Sequence, residues 1–258
     1  MTISMLNRGF EGVTTLFAVF IVVRMRRGRL HGRYPFLFAY MLFLVPYTII
    51  PMVMDLHSRA YFRFWLVSEP MNWTAEILLV RELCGLVLER YQGLCSLGRW
   101  AMYGGIAISA AISLASLMAR VPAAALRRSP TLYYMLAADR GFHFAMGLFL
   151  LLMLLLASRY PVPLNRNILV NAALYTALFL CSTLAALLHS VFDVRVSQRV
   201  DAMLVGSAAL SMLIWFFALT PAGEAVQVEM ARLRPDHERR VLSHLEELNR
   251  LVLRLAAS

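Results

Sequence analysis

Lysine is missing from this chain: all 25 of its basic residues are arginine. A Schiff base to retinal or to pyridoxal phosphate needs a lysine amine, so both cofactors are excluded, and no other is expected. Cysteine is scarce as well. Cys84, Cys95 and Cys181 form no CxxC and no zinc-type Cys/His spacing, so they read as small packing residues. Apart from His143, the histidines stand at the ends of the apolar runs or beyond them, so the paired in-span histidines of a two-haem bundle are lacking. The last run, 200–219, holds no histidine, unlike the HxxxH of seven-helix zinc hydrolases of the ceramidase type. No P-loop, GxSxG or GxGxxG occurs.

Charge is also thin: 16% of residues are charged and 60% hydrophobic, with a mean hydropathy of +0.66. That balance predicts an all-α, polytopic membrane protein rather than a soluble domain. The segment 221–258 holds six arginines (Arg232, Arg234, Arg239, Arg240, Arg250, Arg254) and six acids (Glu224, Glu229, Asp236, Glu238, Glu246, Glu247). Its net charge is zero, so the whole formal +10 falls on residues 1–220. Anionic lipid headgroups account for that better than nucleic acid does.

Seven apolar runs, at about 3–23, 34–54, 61–88, 100–118, 133–157, 168–188 and 200–219, predict a seven-helix transmembrane domain over 1–220. A cytoplasmic amphipathic helical tail is expected over 221–258. Positive charge follows the first run (Arg24, Arg26, Arg27, Arg29, Arg33) where a cleaved signal peptide would place it before. With the N-terminus outside, the short inner connections hold ten arginines and the outer ones seven. That excess favours N-out, C-in in a bacterial inner membrane. Pro46 and Pro51 predict a kink in the outer half of the second run. The fourth run, with Gly104, Gly105, Ser109, Ser113 and Ser116, is expected to allow close helix approach.

The third run is the unusual one, because charge interrupts it. Ionisable groups deep in a bilayer cost roughly 2.5 to 3.5 kcal/mol even on the mildest scale, and they usually face protein and mark a site. Glu69, Asn72 and Glu76 lie at i, i+3 and i+7 and so share one helical face. They either line a polar site for a ligand, cation or proton, or hydrogen-bond to neighbouring helices, with Asn171 and Tyr175 as partners. Glu82 and its charged neighbours can reach the inner interface and need no special role.

Asp55, His57, Asp139, His143, His189, Asp193 and Asp201 fall in the outer parts of runs or in outer loops. Asp139 and His143, at i,i+4, could present two metal ligands on one face. In the tail, Val241, Leu245, Leu248, Val252 and Leu255 recur at four, three, four and three, the spacing of a short coiled-coil seam. They would dock a partner or a second copy, or else lie on the membrane surface.

The stretch 61–100 carries Tyr61, Trp65 and Glu69, then Glu82 and Tyr91, then Arg99-Trp100, and the last run ends in Trp215 to Pro221. With these features the chain resembles a family of uncharacterised bacterial seven-helix membrane proteins. The resemblance implies architecture and no reaction. The expected function is a receptor-like or scaffold protein that holds a ligand or partner in the bundle and associates through its tail. A proton- or ion-coupled transporter using Glu69 and Glu76 is the first alternative, and an intramembrane enzyme the second.

Overall fold

The computed structural model describes residues 3–55, 58–89, 92–120, 130–159, 164–191, 194–225, 227–228, 247 and 250. These are almost wholly helical: α1 Ile3–Arg27, α2 Pro35–Val53, α3 Arg59–Val87, α4 Gln92–Arg120, α5 Pro130–Arg159, α6 Arg166–Val191, α7 Val194–Ala218 and the short α8 Pro221–Ala225. One small ladder, β1 Leu164–Asn165 antiparallel to β2 Gln227–Val228, is the only sheet among the described residues.

Among the described residues, four helices are long and apolar enough to cross a membrane: Pro35–Val53, Pro130–Ser158, Arg166–Leu188 and Arg199–Ala218. Of the window in α2, 17% is buried within the protein, so most of its apolar surface faces outward. Leu42, Ile49 and Val53 on that helix are exposed, as are Leu152 and Leu155 on α5 and Phe217 on α7. Exposed apolar side chains along helices of this length are unfavourable in water and ordinary in lipid, which points to a membrane-embedded protein. α1 and α3 carry Arg8, Glu11 and Arg24, and Arg63, Glu69, Glu76, Arg81 and Glu82, respectively.

The described residues divide into two compact units. The first contains α1, α2, α3 through Leu83, Leu164–Asn171, α7, α8 and β2. Here α1 packs on α2 and on α7. Thr15 and Thr48 tie α1 to α2 with hydroxyls 2.7 Å apart, and Phe17 and Phe20 of α1 meet the ring of Phe216. α1 stops at a basic last turn, which suits the negative end of its dipole. Gly28 follows because a Cβ there would meet Pro221 Cγ at 3.0 Å, and Arg29 then turns the chain in the left-handed region at φ 55°. Pro35 opens α2 at the position where its missing N–H costs nothing. The helix continues through both Pro46 and Pro51 to Val53.

A part-buried polar cluster ties α8 to the rest of this unit. Glu224 of α8 accepts hydrogen bonds from Tyr34 Oη (2.5 Å), Asn165 Nδ2 (3.2 Å) and Asn167 Nδ2 (2.5 Å). Asn167 also donates to the carbonyl of Thr220, holding the break between α7 and α8. Arg24 donates to the Phe216 carbonyl and lies 5.2 Å over its ring.

The second unit contains the end of α3 from Cys84, α4, α5 and the body of α6 from Ala172. α4 and α5 pack closely at Gly141, where a Cβ would stand 2.7 Å from the Ser109 carbonyl and 2.8 Å from Ser113 Oγ. Gly147, two turns on, faces Phe179 and Leu180 of α6. Close approach was expected of α4, and Ser109 and Ser113 provide it. Gly104 and Gly105 do not: a Cβ on either would meet no described atom within 4 Å. Cys84 and Cys95 are buried with sulfurs 4.0 Å apart, unlinked, which fits their reading as packing residues.

Candidate functional site

The site is the face that α2 and α3 turn towards each other in the first unit. Glu69, Asn72 and Glu76 are each at least nine-tenths buried. One face of α3 carries all three, as their spacing predicts. Asn72 Nδ2 donates to Glu76 Oε1 at 3.0 Å, while Asn72 Oδ1 is buried and accepts no hydrogen bond among the described residues.

Two tyrosines on α2 supply the other half. Tyr47 Oη donates to Glu69 Oε2 at 2.9 Å, and Tyr40 shares a side-chain hydrogen bond with Glu76. The pairing is in antiparallel register: seven residues back along α2, from Tyr47 to Tyr40, matches seven forward along α3, from Glu69 to Glu76. Further along, Glu82 accepts from the backbone N–H groups of Phe36 (2.9 Å) and Leu37 (3.0 Å). Three carboxylates on α3 therefore satisfy three points on α2. Glu82, from which the sequence suggested no special role, caps the first turn of α2, whose orphan N–H groups need an acceptor.

Neither tyrosine was anticipated. Their shared spacing of seven with the two glutamates was the available signal, because two neighbouring antiparallel helices can bring equal spacings into register. Asn171, expected beside the glutamates, instead accepts from Trp215 Nε1 at 2.7 Å and joins α6 to α7. Tyr175 is buried and its ring packs on Phe179 at 6.1 Å between centroids.

At the end of the unit where α2 finishes and α3 starts, a cavity of about 180 Å³ lies among α1, α2 and α3. Glu11, Tyr47, Thr48, Tyr61, Trp65 and Ser68 line it, with Phe64 and Pro51 as apolar wall. Tyr47 belongs to both features: it lines the cavity and its hydroxyl donates to Glu69. Tyr61 is within electrostatic reach of both Glu11 and Glu69.

Asp139 and His143 do meet, in the second unit. His143 Nδ1 is 3.1 Å from Asp139 Oδ1 and 3.0 Å from its backbone carbonyl, and the imidazole packs near Phe142 and Phe179. Among the described residues no group of three or more His, Cys, Asp or Glu side chains could hold a metal. His57, Asp193 and the tail positions Val241, Leu245, Leu248, Val252 and Leu255 lie outside the described residues, and for His189 only its place in α6 is described. No known protein family, curated protein or solved structure matches the chain.

Proposed function

We propose that this chain is a seven-span, receptor-like protein of a bacterial inner membrane, holding a ligand or proton on the α2–α3 carboxylate face and answering with a change in helix packing. The seven spans would be α1 to α7, with α1 and α3 tolerated in lipid because their charges turn to protein or to the interfaces. The N-terminus would lie outside and the C-terminal segment inside, free to meet a partner or a second copy through Val241, Leu245, Leu248, Val252 and Leu255.

The observation that carries the reading is the cavity ending on Tyr47. Glu69 is itself buried, yet the tyrosine that donates to it also lines an open space, so a guest there can act on the carboxylate through Tyr47. Asn72 Oδ1, buried and accepting nothing among the described residues, supports it from the same face. Occupancy or protonation that loosens one Tyr–Glu pair would favour one arrangement of α2 against α3. A ligand shifts such a balance only by its difference in affinity for the two states.

Hydrogen exchange on the full chain in lipid nanodiscs, compared at pH 5 and pH 8, is the test. Protection along α2 and α3 is expected to change in the parent and to be constant in the Glu69→Gln, Glu76→Gln double variant. Identical profiles in both proteins at both pH values would remove the reading. A flux assay in liposomes separates it from a carrier: proton-coupled uptake lost in the same variant would establish transport instead.

A further inference from the structure

We propose that the cavity among α1, α2 and α3 is a binding site for a compact organic cation, a primary to quaternary ammonium of about choline's size. The proposal rests on reading the first unit as ligand-holding, and it names the class of ligand.

The walls argue for it. Tyr47, Tyr61, Phe64 and Trp65 give the cavity four aromatic rings, and Glu11 adds a carboxylate to the same lining. Ring faces carry negative electrostatic potential and attract an organic cation, most strongly where water is thin. A second carboxylate, Glu69, accepts a hydrogen bond from the Tyr47 hydroxyl. An anion would meet two acids here. A neutral guest would leave the half-buried Glu11 with the exposed Arg8 alone, among the described residues, to offset its charge, in a setting where a poorly compensated charge is costly. A metal ion prefers several convergent hard or nitrogen donors, and the described residues assemble no such group. Thr48 and Ser68 add hydroxyl oxygens that can accept from an ammonium N–H.

One competitor is already present. Arg8, a turn before Glu11 on α1 and exposed, lies within electrostatic reach of the Glu11 carboxylate. A bound ammonium would replace part of that interaction, so Arg8 is expected to weaken cation binding.

The experiment uses the full chain in nanodiscs, with thermal stability read against choline concentration. Choline is expected to raise the melting temperature saturably, as any ligand selective for the folded state does. Its neutral isostere 3,3-dimethylbutan-1-ol, and sodium chloride at the same ionic strength, are expected to leave it unchanged. Glu11→Gln and Trp65→Leu should each weaken choline about tenfold or more, Trp65→Phe should weaken it less than Trp65→Leu, and Arg8→Gln should tighten it. An equal shift with the neutral isostere overturns the proposal without reference to any variant, as does choline binding unaffected by both Glu11→Gln and Trp65→Leu. No choline response, alongside an intact pH response that depends on Glu69 and Glu76, overturns the cation and leaves the receptor reading standing. Loss of both responses removes both.

Discussion

α2 meets α3 and α4 meets α5 by opposite means. In the first pair the contact is made by long polar side chains, Tyr40 and Tyr47 reaching Glu76 and Glu69. In the second it is made by the lack of a side chain, with Gly141 set against the Ser109 carbonyl and the Cα of Ala110. A membrane offers little hydrophobic drive for helix association, because lipid tails are as apolar as leucine. What remains is close packing or hydrogen bonding, and this chain uses one in each unit. The packed contact has little freedom, since backbone stands on both sides of it. The polar contact can exchange partners, because a tyrosine hydroxyl released from a carboxylate can turn to another acceptor or to a ligand. The α2–α3 contact is therefore the one that could change, and the α4–α5 contact the fixed one.

The largest expected effect comes from filling the packed contact. Gly141→Leu would put a branched chain where even a Cβ is 2.7 Å from a backbone oxygen and 3.0 Å from the Cα of Ala110. Glycine to alanine inside a helix ordinarily gains roughly 1 kcal/mol of propensity. Here overpacking, at about 1 to 3 kcal/mol or more, acts against backbone that cannot rotate away, so Gly141→Ala should already be net destabilising and Gly141→Leu more so. Thermal or denaturant unfolding in nanodiscs checks this. A Gly141→Ala variant more stable than the parent would show that α4 and α5 separate easily.

Tyr40→Phe and Tyr47→Phe should act more weakly on stability and more strongly on response. Each deletes one hydroxyl and preserves the ring, and interhelical hydrogen bonds in membranes contribute about 0.6 kcal/mol on average and up to about 1.7. A loss of about 1 kcal/mol per variant is therefore expected. Tyr47→Phe should also alter the pH-dependent exchange of α3, because it removes the bond that ties Glu69 to a cavity-lining residue. Equal responses in the parent and in Tyr47→Phe would remove the distinction between a switchable contact and a fixed one.

Much of the helical layout was legible in the sequence, because apolar runs bounded by arginine, proline and glycine mark helices by length alone. α3 was expected over 61–88 and spans Arg59–Val87; α5 was expected from 133 and starts at Pro130. Half of the site was legible too, since Glu69, Asn72 and Glu76 share a face by spacing within one helix. Tyr40 and Tyr47 were not, because a tyrosine in an apolar helix reads equally as core or interface until its neighbouring helix is known. For the same reason Asn171 was given the wrong partner: its amide fits a glutamate as well as an indole N–H, and only the approach of α7 selects Trp215. Glu11 was not legible as part of a site, because the rings that give it a setting come from α2 and α3.

The smallest expected effect lies at the Glu82 end of the α2–α3 contact. Tyr34 precedes Pro35 and contributes no side-chain cap, its hydroxyl being committed to Glu224. The free N–H groups of Phe36 and Leu37 therefore depend on a carboxylate from another helix, and both bonds go to Glu82. Replacing a capping side chain costs about 0.5 to 2 kcal/mol, and the charge at a helix N-terminus accounts for roughly 0.3 to 1 of that. Glu82 is only half-buried, so water can take over part of its role and the low end of each range applies. Glu82→Ala is expected to lower stability by about 0.5 to 1 kcal/mol, and Glu82→Gln, which preserves one acceptor, by less. The sharper readout is local: amide exchange at Phe36 and Leu37 should accelerate in Glu82→Ala while the rest of α2 is unchanged. If exchange instead accelerates through Tyr40 and Tyr47, the three carboxylates act as one cooperative unit, and an event at the Glu69 end reaches the opposite end of α2.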